Sequence, residues 1–115
     1  MSHLGQHSSV QDVDQLVQQL RISKHELARA LGLWPESITH DEQLRSTCTQ
    51  QRLQQTMTTL TYVQPWAGST RAAWSWYRSQ PIPSFGGITA SQLVSSDRGE
   101  QVLAYLAAVA EGGHA

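Results

Sequence analysis

Charge is scarce in this sequence. Asp, Glu, Lys and Arg make up 15% of its 115 residues, against roughly 25% in an ordinary globular chain. Lys24 is the one lysine among eight cations, and the formal net charge is −1. That balance excludes a domain that grips nucleic acid through bulk positive charge. Cys48 is the one cysteine, so an internal disulfide and a paired-cysteine zinc site are both excluded. No apolar run nears the roughly 18 residues of a membrane span. Met1 to Ser9 has neither the basic nor the apolar stretch of a secretory leader, so a cytoplasmic protein is expected. No alternating apolar pattern marks a strand. The length allows one small domain, or two small helical units sharing a core, and is too short for a Rossmann sheet pair or a β/α barrel.

What replaces the missing charge is amide and hydroxyl, with fourteen Gln and many Ser and Thr, while 39% of the residues are hydrophobic. Such a chain folds and is expected to show a neutral, polar surface. Its apolar spacing reads as all-α. Residues 1–9 are polar and read as a disordered start. Val10, Val13, Leu16, Val17 and Leu20 make a first helical stripe. Ser23 to Glu26 reads as a capping box opening a second helix, with Gly32 as its left-handed stop. Pro35 suits the first turn of a third helix covering Ile38. Residues 41–50 carry no clear pattern. Leu53, Met57, Leu60 and Val63 mark a long helix that Pro65 and Gly68 are expected to end. Ser69 or Thr70 caps the helix holding Trp74, Trp76 and Tyr77. Residues 80–87, with two prolines and two glycines, form an extended arm or tight loop. Thr89 to Gln92 and Asp97 to Glu100 read as two further capping boxes. The last helix should bury Val102, Leu103, Leu106, Val109 and Ala110, and Gly112 and Gly113 should end it.

The first three helices follow helix-turn-helix logic, with the third placed to enter a major groove. Ser37, Thr39, His40, Gln43 and Arg45 are its candidate DNA contacts. Glu36, Asp41 and Glu42 on the same segment oppose phosphate, so DNA binding would need a dimer. His3 and His7, four apart, and His25 and His40 lack partner ligands at metal spacing and read as surface histidines. Cys48 has no nucleophile signature and is expected to be half-buried. No phosphate loop follows Gly86-Gly87, and no catalytic set is visible, so a non-enzyme without cofactor or metal is expected. Trp74 suits a core. Trp76 lies about 200° away around the helix, so one of the two is left for an interface.

The C-terminal half has an ordered set of features: Trp74-Ser75-Trp76, then Pro81 to Gly87, a capped helix from Thr89 to Val94, Asp97-Arg98-Gly99, and a last helix ending Ala110-Glu111-Gly112. In that order it resembles the toxin-binding domain of the Xre/MbcA/ParS-type antitoxins, over about residues 70–115. The upstream helices fit the family's Xre-like half. The resemblance implies three parts: a disordered start at 1–9, an Xre-like helical domain with its linking helix at 10–66, and a toxin-binding domain with a C-terminal tail at 67–115. It implies a homodimer that covers an NAD-consuming RES-domain toxin, blocks its active site, and often represses its own operon. Trp76, Arg78, Pro83, Phe85, Gly86 and Gly87 would then face the toxin, Gly99 would permit the turn into the last helix, and Glu111, Gly112, Gly113, His114 and Ala115 would be the blocking tail. A stand-alone DNA-binding regulator and a non-catalytic adaptor are the alternatives. The chain departs from the family pattern in Ala90 where Pro often stands, in His114 where the tail is often bulky and apolar, and in the acidic third helix.

Overall fold

The computed structural model describes residues 10–112. Eight α-helices make up the described chain: α1 (Val10–Leu20), α2 (Lys24–Leu31), α3 (Glu36–Thr39), α4 (Asp41–Leu44), α5 (Thr47–Ala67), α6 (Thr70–Ser79), α7 (Ala90–Ser95) and α8 (Gly99–Gly112). A 3-10 turn, Pro83–Phe85, sits between α6 and α7. The all-α reading holds, with no strand among the described residues beyond one isolated bridge, Ile82 to Ile88. None of the described helices is long and apolar enough to cross a membrane.

Helix α5 is the axle. It packs on α6 and α8 most extensively and also meets α2, α4 and α7. One continuous apolar cluster runs from Val13 on α1 to Leu106 on α8, so the early and late helices share a single core. Enclosed on most sides, α5 keeps only a narrow wet stripe, Gln51, Gln54, Thr58 and Thr61, and must bury the rest of its circumference. Part of the amide and hydroxyl content therefore lies inside rather than on the surface. Gln50, Gln55, Thr56 and Thr59 are buried. The buried groups are satisfied: Gln50 Nε2 donates to the Leu44 carbonyl at 2.7 Å, Thr59 Oγ1 to the Gln55 carbonyl at 2.7 Å, and the Thr56 and Tyr77 hydroxyls share a bond of 2.8 Å.

Pro65 does not stop α5, which continues to Ala67. Pro65 lacks the N–H that would bond the Thr61 carbonyl and its ring crowds that carbonyl, so the last turn forms at a cost instead of the helix ending there. Gly68, at φ 99°, ends the helix, and its N–H donates to the Gln64 carbonyl. The caps at Ser69 and Thr89 form as expected, and at Thr89 the box is complete, its N–H donating to Gln92 Oε1. At Ser23 only half of the expected box forms, the hydroxyl accepting from Glu26 N–H while the Glu26 carboxylate turns to Arg78. The third expected box does not form. Helix α8 begins at Gly99, and Asp97 instead closes α7 with φ 62°. Gly99 is thus not the conformational pivot of that turn. Its role is space: a Cβ there would collide with the Gln55 side chain.

Three helices end in the same way. In each, an amide two or three residues past the end reaches back five residues while the residue before it takes a left-handed backbone. Ile22 N–H donates to Val17 O, Leu33 N–H to Ala28 O and Arg98 N–H to Leu93 O. The left-handed residues are Arg21 (φ 60°), Gly32 (φ 72°) and Asp97 (φ 62°). Glycine accepts this conformation freely, whereas other residues pay a steric cost.

Candidate functional site

The segment expected to be one recognition helix is two four-residue helices. His40 takes an extended backbone between them, φ −109° and ψ 128°. Ser37 and Thr39 therefore stand on α3, Gln43 on α4, and His40 and Arg45 at the ends of α4. The Thr39 hydroxyl donates to the Pro35 carbonyl at 3.1 Å. Ile38 and Leu44, both buried, pin the two turns separately to the core, which is why neither continues into the other. Cys48 is exposed rather than half-buried, because it lies on the outer side of the first turn of α5.

On α6 the hundred degrees between successive residues deal side chains into three environments. Ala73, Trp74 and Tyr77 enter the core. Trp74 stacks on Tyr77 with centroids 5.3 Å apart, and burial pushes the Tyr77 phenol well above its ordinary pKa, with the Thr56 hydrogen bond and the nearby Arg78 and Arg52 opposing that rise. Trp76 leaves the core on one side, and Arg71, Ser75 and Arg78 on the other.

On the Trp76 side lies an open groove of about 590 Å³. Trp66 from the end of α5 meets Trp76 edge to face, centroids 5.9 Å apart. The chain from Gln80 to Ser84, with Tyr105 and Val109 of α8, completes the walls. Phe85 supports Tyr105 from behind at 5.9 Å. The loop holds its shape through its own backbone: the amides of Phe85 and Gly87 both donate to the Ile82 carbonyl, and Ile82 N–H donates to Ile88 O. Gly86 and Gly87 take φ 73° and 87°, which this closure needs and other residues resist. Beyond the groove, α8 is more exposed than its spacing suggests. Val102 and Leu106 are buried, but Leu103 and Val109 are half-buried and Ala110 is exposed. A largely apolar helix thus keeps an apolar outer face.

The resemblance placed Trp76, Arg78, Pro83, Phe85, Gly86, Gly87, Glu111 and Gly112 on one surface. Trp76 and Pro83 do line the groove, Phe85 stands behind its Tyr105 wall, and the two glycines shape the loop. Glu111 and Gly112 close α8 and are exposed, while Gly113, His114 and Ala115 lie outside the described residues. Arg78 stands apart. It faces the other cleft, where its Nη1 donates to Glu26 Oε2 at 3.5 Å and its guanidinium lies 5.6 Å from the Trp74 ring centroid. Trp66 and Tyr105 escaped sequence reasoning, although four tryptophans in a chain with 7% aromatics were a signal. Trp34, 77% exposed, stands on the turn after α2 and lines neither surface.

Among the described residues, no group of His, Cys, Asp and Glu is placed to hold a metal ion. Comparison with known proteins adds no relative: no family model, curated protein or solved structure matches the chain.

Proposed function

We propose that this chain is an antitoxin: a non-catalytic, cytoplasmic binding protein that covers an NAD-consuming RES-domain toxin and occludes its active site, working as a homodimer within the complex. The observation that carries this reading is the groove. Two residues that the antitoxin resemblance assigns to toxin contact, Trp76 on α6 and Pro83 in the 3-10 turn, line it, and a third, Phe85 of that same turn, backs the Tyr105 wall. The groove adjoins the exposed apolar face of α8. Half-exposed aromatics beside rigid prolines are typical anchors of protein interfaces. Operator binding is left out of the proposal, because the broken α3–α4 segment offers no continuous helix to a major groove.

The test is capture of partners from native cells by the tagged chain at moderate salt, each partner identified by mass. The expected result is one stoichiometric partner that consumes NAD when free and is silent in the complex, and whose capture Trp76→Ala abolishes. A homodimer with no NAD-consuming partner overturns the reading. So does capture that survives Trp76→Ala.

A further inference from the structure

A second open cleft, of about 620 Å³, lies on the opposite side of α6, between that helix, the end of α1 and the start of α2. Arg21, Arg71 and Arg78 line it, with the Ser75 and Ser79 hydroxyls and one carboxylate, Glu26. Three guanidiniums against one carboxylate leave a formal surplus of two positive charges, in a chain whose net charge is −1. Only Arg78 has an ion-pair partner, and that pair is long at 3.5 Å. The guanidiniums of Arg21 and Arg71 have no partner among the described residues.

Arg21 carries the stronger argument. It is the left-handed residue of one of the three matching helix ends. At the second, Gly32 meets the backbone demand directly. At the third, Asp97 tolerates it, and its carboxylate accepts from Arg52 Nη2 at 2.9 Å. Arginine gains nothing from this conformation, and the fold makes no use of its side chain. Backbone strain held by an unused charged residue points to a ligand. Arg71, Ser75 and Arg78 meanwhile recur at i, i+4 and i+7, one stripe of α6 facing the same space.

We propose that this cleft binds a dianionic phosphate group. Its surplus charge matches a dianion. Guanidiniums from two elements, with hydroxyl donors beside them, suit the several oxygens of a phosphate better than the single plane of a carboxylate. Its size suits a small phosphorylated molecule. The site is separate from the groove and does not rest on the toxin reading.

The test is calorimetric titration of the whole chain at low ionic strength with sodium phosphate and with adenosine monophosphate. Saturable binding is expected, weakened about tenfold or more by Arg21→Gly and by Arg71→Ala. Arg45→Ala, which removes an exposed arginine outside the cleft, should leave it unchanged. Arg21→Gly puts the preferred residue at a left-handed position, so its loss of binding is not a loss of fold, and thermal melting checks this. Tighter binding of the nucleotide identifies a phosphorylated metabolite as the source of the group; equal affinities identify the free ion. The proposal fails if neither ligand binds, if Arg21→Gly binds like the parent chain, or if Arg45→Ala weakens binding as much as Arg71→Ala.

Discussion

The two faces of α6 share one ten-residue helix and one buried layer, yet they differ in nearly every physical respect. The Trp76 face is aromatic and prolyl, with a loop locked by its own backbone bonds. The Arg71–Arg78 face is cationic and hydroxylated, and its one internal ion pair is long. The first binds chiefly by excluding water from apolar surface, with Gln80 and Ser84 as its polar lining. The second can bind only by supplying charge that the protein itself leaves unmatched. The difference shows how little chain is needed to separate two recognition chemistries. Residues two apart on a helix point about 200° apart, so Trp76 and Arg78 cannot serve the same partner surface unless that partner wraps around the helix.

Both faces depend on the layer between them. Tyr77→Ala should therefore have the largest effect, about 3–5 kcal/mol of stability in urea unfolding, with partner capture and phosphate binding lost together. If one binding survives, the faces do not share their support.

Arg52 is the next hold. Its Nη1 donates to the carbonyls of Leu31 and Gly32, and its Nη2 to Asp97, fastening α5 to the ends of α2 and α7. Arg52→Met should cost about 1–2 kcal/mol, because the Leu31 carbonyl loses a part-buried donor while Gly32 O and Asp97 turn to water, and the purified, folded variant keeps both binding activities.

The Thr56–Tyr77 bond allows a finer cut. Tyr77→Phe and Thr56→Val should each cost about 1–2 kcal/mol, and the double variant less than their sum. The phenol also sets a pH dependence. Its folded pKa is raised, so its contribution to stability is full below the unfolded value near 10 and is lost as pH climbs above it, where only the unfolded chain ionises. The stability gap between the parent chain and Tyr77→Phe should shrink above about pH 10.

The smallest stability effects should separate the faces most cleanly. Trp76→Ala should cost about 0.5–1.5 kcal/mol through the lost ring pair with Trp66, abolish partner capture and spare phosphate binding. Arg21→Gly should change stability by less than about 1 kcal/mol, in the stabilising direction, and show the converse pattern in binding. Loss of both activities in either variant would break the comparison.

Much of this is legible in the sequence itself. Apolar spacing marked the helices, because a helix must keep one stripe dry. The caps at Ser23, Ser69 and Thr89 were readable because their bonds span only three residues. The stripe of Arg71, Ser75 and Arg78 was also present in the letters, although nothing local said that Arg21, fifty residues earlier, would join it. Misreadings occurred where a local signal met a distant demand. Pro35 and the polar run after it suggested one helix, but Ile38 and Leu44 are each drawn to the core and split it. Asp97 to Glu100 had the form of a cap, but Asp97 was taken by Arg52, forty-five residues away in sequence.

By itself the sequence determined the helical class, the N-caps at Ser23, Ser69 and Thr89, the non-helical segment at 80–87 and the lack of a paired-cysteine site. All of these depend on residue identities within a turn or two of one another. Tertiary structure decided which polar residues of α5 went inside, where the aromatics of α5, α6 and α8 met, and that a lone strained arginine faced two others. Those outcomes depend on which distant elements come to lie side by side, and only the competition among apolar stripes for one core settles that.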